Sequence, residues 1–311
     1  MASSNSILRK AEKHYADAKL YKNRVLYGVY EGFPFLVDST SSNYSASFLR
    51  IVICAMGETS LEARKQQFLD QRFQVFCHAN SIELILPMRG TTKKCFETLL
   101  SGIENTVTQL CAGGYVGSDE MGIIGGTGLY RVKGRYHLLN EESARNIGVI
   151  LQGDKAAFDA IREDYALGLV GAIIGGMLGC LVVLLVARLG YVTAISSVLV
   201  GAGIVYGYTN KRLGKKLSPV SAVLCGIIAV VFSYGTFRMD LAIDIHDAAP
   251  EIALPSAFIY GRAIMQSVEG GMGQYYENLF LMAGICILGA AAIIALILRE
   301  QKLRFEIKRV S

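Results

Sequence analysis

Four long uncharged apolar runs fill the second half of this chain: Ala166–Ala187, Leu189–Tyr208, Val220–Phe237 and Leu279–Leu298. Each is close to the ~20 residues that a helix needs to cross a ~30 Å hydrocarbon core. The expected fold class is therefore an α+β soluble domain followed by an all-α four-helix transmembrane domain. The domain boundaries that follow are 1–110 for the cytosolic α+β domain and 111–165 for a Gly-rich segment with a linker helix. Residues 166–298 form the membrane part, with an extracytoplasmic loop at 238–277, and 299–311 form a basic tail.

The charges between the runs set an orientation. Lys211, Arg212, Lys215 and Lys216 lie between the second and third runs, and Arg299, Lys302, Arg304, Lys308 and Arg309 follow the fourth. The loop between runs three and four is acidic instead, with Asp240, Asp244, Asp247, Glu251, Glu269 and Glu277 against Arg238 and Arg262. Basic loops stay cytoplasmic. The expected location is the plasma membrane, multi-pass, with N- and C-termini in the cytoplasm. The net charge of +5 sits beside the membrane, where it orients helices and touches anionic lipid. The soluble part is nearly balanced, so no nucleic-acid partner is expected. The N-terminal stretch has no apolar h-region, so no cleavable signal peptide is expected. Of the seven cysteines, none falls in the exported loop, and no disulfide framework follows.

In the soluble domain, Ile7, Leu8, Ala11, Tyr15 and Ala18 recur at helical spacing over Ser6–Leu20. Strands are expected at Arg24–Tyr30, Pro34–Asp38 and Ala46–Ala55, then a helix at Thr59–Leu69. A hairpin of Phe73–His78 with Ile82–Pro87 and a helix at Thr91–Leu110 complete the order α-βββ-α-ββ-α. That order resembles class I secretion chaperones, which bind protein segments; an ordinary α+β sheet domain is the favoured reading, because element order alone does not imply function.

Residues 111–140 are rich in glycine and end in a strand-like stretch, Gly128–Leu139. A zinc site needs four ligands. Cys111 has Gly114 where a partner would stand and only His137 nearby, so the segment reads as a degenerate zinc ribbon and no zinc or other cofactor is expected. Gly122–Gly128 lacks the Gly-Lys-[Ser/Thr] ending of a phosphate loop and is expected to be a flexible loop. Cys77 and His78 are adjacent on a strand and point to opposite faces, which excludes a nucleophile–base pair. Asp154–Asp164 suits a helix that continues into the first span.

Within the membrane part, Gly171, Gly175 and Gly179 stand four apart, and Gly203 and Gly207 repeat the pattern. Small residues at that spacing let helix backbones approach closely. The partner is either the second span of the same chain or another protomer. No ionisable residue lies inside any run, which argues against an ion-coupled transporter. Asp240, Asp244 and Asp247 share one face of a helix that Pro250 ends. They are either the wet face of an interfacial helix or a place for a divalent cation. Tyr275 and Tyr276 fit an aromatic belt.

The segments GAIIGGMLG, LGYVTAISSVLVGAGIVYGYTNKRLGKKLS and SYGTFRMD, with the opening YKNRVLYGVYEGFPFLV, resemble an uncharacterised family of four-helix membrane proteins of Gram-positive bacteria. Members often carry Cys-x-x-Cys pairs between the soluble domain and the first helix, where this chain keeps only Cys111. The resemblance implies the architecture and no activity. The expected function is a membrane-anchored, non-enzymatic module that binds a protein partner or relays a signal. The alternatives are a small oligomeric transporter or channel, and a membrane enzyme acting on lipid or a cell-wall precursor at its acidic outer loop. The expected partners are the lipid bilayer, a protein bound by the cytosolic domain, and further copies of the chain.

Overall fold

The computed structural model describes residues 3–41, 47–188, 198–210 and 216–310. The chain divides into two compact units, Met1–Ala156 with Leu303–Ser311, and Ala157–Lys302.

The first unit is built on an antiparallel sheet. Helix α1 (Ser4–His14) precedes β1 (Lys19–Tyr21), β2 (Val25–Tyr30), β3 (Phe33–Ser41) and β4 (Ser47–Met56). A 3-10 turn (Lys65–Phe68) leads to β5 (Gln74–Cys77), β6 (Ser81–Pro87) and α2 (Thr92–Ala112). The spatial order is β1-β2-β3-β4-β6-β5, and β7 (Val116–Gly117) adds to the end of β4. Alternation along β4 sends Leu49, Ile51 and Ile53 to one face and Arg50, Val52 and Cys54 to the other. The first face packs on α1 and α2 through Ile7, Leu8, Leu99, Ile103 and Val107. The second is covered by a small sheet of β8 (Gly128–Val132) and β9 (Arg135–Leu139), whose Leu129 and Leu138 meet Val25, Leu36, Val52 and Cys54.

Three features differ from the sequence expectation. Residues 19–21 form an extra strand, made possible at Gly28, where a Cβ would stand 2.8 Å from Ala18 Cα. The expected helix over 59–69 is absent apart from the 3-10 turn. Only Leu61 and Phe68 are buried there, which is too few for an apolar stripe, and the Leu61 N–H bonds Ala79 O instead. The third strand of the small sheet is β10 (Ile307–Arg309), drawn from the basic tail and paired antiparallel with β8. Arg309 also pairs with Glu141 at 2.6 Å, and Val310 N donates to Leu129 O.

Helix α3 (Glu141–Ala160) ends before the second unit's first long helix, α4 (Tyr165–Arg188). The linker is thus not continuous with the span. Asp164 interrupts it by capping α4, accepting from Leu167 N at 3.0 Å. Then follow α5 (Val198–Tyr208), α6 (Pro219–Ala248), α7 (Leu254–Gln266) and α8 (Gly271–Leu303). Helices α4, α6 and α8 are each long and apolar enough to cross a membrane; α4 alone is about 36 Å at 1.5 Å per residue. The second apolar run begins at 189–197, outside the described residues, and α5 is its described part. Helix α6 runs 11 residues past Phe237, so the segment expected to be an outer loop begins as a helix rather than at the end of the apolar run.

Candidate functional site

The five predicted packing glycines meet along the α4–α5 seam. A Cβ added to Gly175 would overlap the Gly203 carbonyl, and one on Gly207 would overlap the carbonyl of Gly171. Gly179 lies against Val200, 2.7 Å from its Cβ position to the Cα. These pairs define an antiparallel register, so Tyr208 returns to the level of Gly168, whose missing Cβ leaves room for the Tyr208 ring.

At that end of the bundle lies a buried carboxylate, Glu163. Tyr208 Oη donates to Glu163 Oε1 at 2.8 Å. The first turn of α6 faces it with Ser218 and Ser221, which form a reciprocal capping box (Ser221 N to Ser218 Oγ 3.2 Å, Ser218 N to Ser221 Oγ 2.8 Å). Burial pushes the Glu163 carboxyl up, but hydroxyls of Ser221, Ser218, Tyr208 and Tyr165 more than offset this, and it is held below its ordinary value. The positive end of the α6 dipole favours the same charged form. The node joins the start of α4, the end of α5 and the start of α6. The Gln301 amide lies 3.2–3.3 Å from the Leu217 backbone, which brings the end of α8 to the same level.

Because the folded carboxyl is depressed, its contribution is present above the unfolded value, near 4.3, and is lost as pH falls through the folded value. Glu163→Gln is expected to lower the stability of the detergent-solubilised protein at pH 7 by about 1–3 kcal/mol. The gap between variant and parent melting temperatures should close as pH falls below the unfolded value and through the folded one. A gap that stays constant with pH would rule out the ionised node.

At the opposite end, Phe237 of α6 and Tyr275 of α8 pack ring on ring at 5.0 Å. Asp240, Asp244 and Asp247 lie beyond on the continuation of α6, with Asp244 and Asp247 exposed and Asp240 half-buried. His246 Nδ1 stands 2.8 Å from Ile252 O, so its ring is engaged away from a carboxylate cluster.

In the sheet unit, the start of the Gly-rich loop is hydrogen-bonded to Asp119. Asp119 is fully buried; its carboxylate accepts from the N–H groups of Met121 (2.9 Å), Ile123 (2.8 Å) and Asn140 (3.0 Å). Glu120 bonds His137 Nδ1 at 2.6 Å and accepts from Leu138 N at 2.9 Å. Gly122 and Gly125 supply left-handed turns (φ +84° and +146°). Met121 and Ile124 are turned out to solvent, 55% and 60% exposed.

Below the loop, Arg50 grips Asp38 (Nη2 to Oδ2 2.6 Å, Nε to Oδ1 3.1 Å) and donates to Tyr136 O at 3.0 Å. Burial works against the Arg50 charge, but the Asp38 bond and the fields of Asp38, Glu83 and Glu120 outweigh it and hold the guanidinium above its ordinary value. The same burial, with Glu120 and Asp119 nearby, pushes the Cys54 thiol well up and leaves it inert. Cys111 is exposed in the last turn of α2, while His137 is held by Glu120. Among the described residues no three His, Cys, Asp or Glu side chains are grouped to hold a metal ion.

Sequence spacing draws attention to the glycines and outer aspartates but passes over Glu163, Asp119 and the Arg50–Asp38 pair. A Ser-x-x-Ser directly before an apolar run marks the α6 cap, and is the one signal near Glu163. No protein-family model matches the chain, and neither a curated protein nor a solved structure matches it.

Proposed function

We propose that this is a four-span plasma-membrane protein with both ends of the chain in the cytosol. Its sheet unit binds a protein partner, and its helices anchor that unit or relay a signal to it. The observation that carries the reading is β10. The chain leaves the sheet unit at residue 156 and rejoins it at residue 303, and a polypeptide that departs from and returns to one side crosses an even number of times. Three crossings do not fit that parity, which supports reading the run Leu189–Tyr208 as a fourth. The convergence of Glu163, Tyr208, Leu217 and Gln301 at one end of the bundle supports the same count. In sequence the basic stretch 211–216 follows α5 and the basic tail follows α8, which supports a cytoplasmic side there by the positive-inside rule. The arrangement agrees with the resemblance to four-helix membrane proteins of Gram-positive bacteria.

The binding surface in this reading is the loop that follows Asp119, since it turns the apolar side chains of Met121 and Ile124 out to solvent. The test is a photo-cross-linking benzoylphenylalanine in place of Ile124 in the full-length protein, irradiated in intact cells. The expected result is one adduct of discrete mass with a cytosolic protein, absent when the probe replaces Lys10. Adducts to exported proteins would overturn the orientation. Adducts only to lipid or to a second copy would shift the reading to a small oligomeric transporter.

A further inference from the structure

Helix α7 (Leu254–Gln266) contains no acidic residue and a single charge, Arg262. The acid-free stretch runs from Ile252 to Val268, bracketed by Glu251 and Glu269, in an outer segment that is otherwise acidic. One stripe is covered, with Ala257 and Gly261 buried and Gly261 facing Leu241 and Ile245 of α6. The rest is open, yet three consecutive residues there are large and apolar or aromatic. Phe258 is 38%, Ile259 62% and Tyr260 61% exposed. A helix in water places polar residues on its open side; this one sets Phe258, Ile259 and Tyr260 there among Ser256, Arg262 and Gln266.

Its depth is fixed by three contacts. Arg238, the first charge after the apolar part of α6, donates to the carbonyls of Phe258 and Ile259. Met265 packs in the same cluster as Phe237 and Tyr275. Arg262 donates to Tyr276 Oη at 2.9 Å. A ladder of rings, Tyr275, Tyr276 and Phe280, steps from that level onto α8, at 5.4 and 6.2 Å. Below it the outward surface of α8 is apolar, with Phe280 71% exposed. The open face of α7 is therefore continuous with the surface that α8 turns to the hydrocarbon.

We propose that the open face of α7 rests in the headgroup–acyl boundary of the outer leaflet, with phospholipid as its partner. Aromatic and aliphatic side chains favour that layer, Arg262 suits lipid phosphate, and carboxylates are repelled from an anionic surface. The acids Asp244 and Asp247 stand on the α6 extension instead, exposed to water. The inference rests on the reading that α8 spans the membrane, and its test separates the two.

The chain has no tryptophan, so one introduced indole reports alone. Ile259→Trp, Asp247→Trp and Leu288→Trp are prepared as full-length proteins in phosphatidylcholine–phosphatidylglycerol vesicles, with and without bromine on the lipid chains. The indole of Ile259→Trp is expected to emit to the blue of a water-exposed one and to lose half or more of its intensity to bromine placed shallow in the chain. That of Asp247→Trp should emit as in water and keep its intensity. Water-like, unquenched emission from Ile259→Trp would overturn the proposal. Blue-shifted but unquenched emission would overturn it too, showing protein rather than lipid over the face. Leu288→Trp, on the open side of α8, should be quenched by deep bromine; if it is not, the spanning reading falls and takes the proposal with it.

Discussion

Gly175→Leu is expected to prevent α4 from packing on α5 and to remove most of the protein from the membrane fraction. Ordinary overpacking of a core costs about 1–3 kcal/mol, because side chains can shift to relieve it. Here the obstructing atom is the Gly203 carbonyl, part of a helix backbone that cannot rotate away, and the reciprocal clash at Gly203 involves Gly175 O. The cost should exceed that range. Gly226→Leu and Gly284→Leu serve as controls, because nothing lies within 4 Å of either Cβ position. They should leave expression and melting temperature at or slightly above the parent value, since Leu outranks Gly in helices by up to about 1 kcal/mol. Equal losses in all three variants would show that the seam is not a close contact.

Arg50→Leu is expected to lower the stability of the sheet unit by about 3–5 kcal/mol, the usual result of stripping one partner from a buried ion pair. It leaves Asp38 buried without its donor and releases the Tyr136 carbonyl that ties β9 to the main sheet. The double variant Asp38→Leu with Arg50→Leu should recover part of the loss, because neither charge of the pair is then buried alone beside Leu36, Val52 and Leu138. Glu83, 3.9 Å from Arg50 Nη1, still loses its partner. Denaturant unfolding of the full chain followed by tyrosine fluorescence gives both numbers. A double variant as unstable as the sum of the singles would mean that the pair does not act as a unit.

Much of the architecture is legible in the sequence because its signals are local and long. The apolar runs outlast any soluble helix of like composition, and α1, α2 and β2–β6 announce themselves through one-sided periodicity. The failures share a cause. Strand β10 is three residues, Ile-Lys-Arg, with no pattern of its own; it exists because β8, some 175 residues earlier, offers an open edge. Lys19–Tyr21 is equally short and depends on Gly28 for space. Glu163 looks like one more charge in a polar linker, and only the convergence of α4, α5 and α6 buries it. Asp119 sits beside glycines that suggest an open loop, yet its buried carboxylate collects the N–H groups of Met121, Ile123 and Asn140.

The tail strand also orders events in time. During synthesis β8 and β9 emerge well before α4, and domains generally fold in that direction. Their third strand is translated only after every membrane helix has been made. Until then the β8 edge stays open, with Leu129 and Leu138 covered from one side only, and an open edge is a template for wrong pairing. Closure of the small sheet therefore waits for a strand that follows the last long helix in the chain.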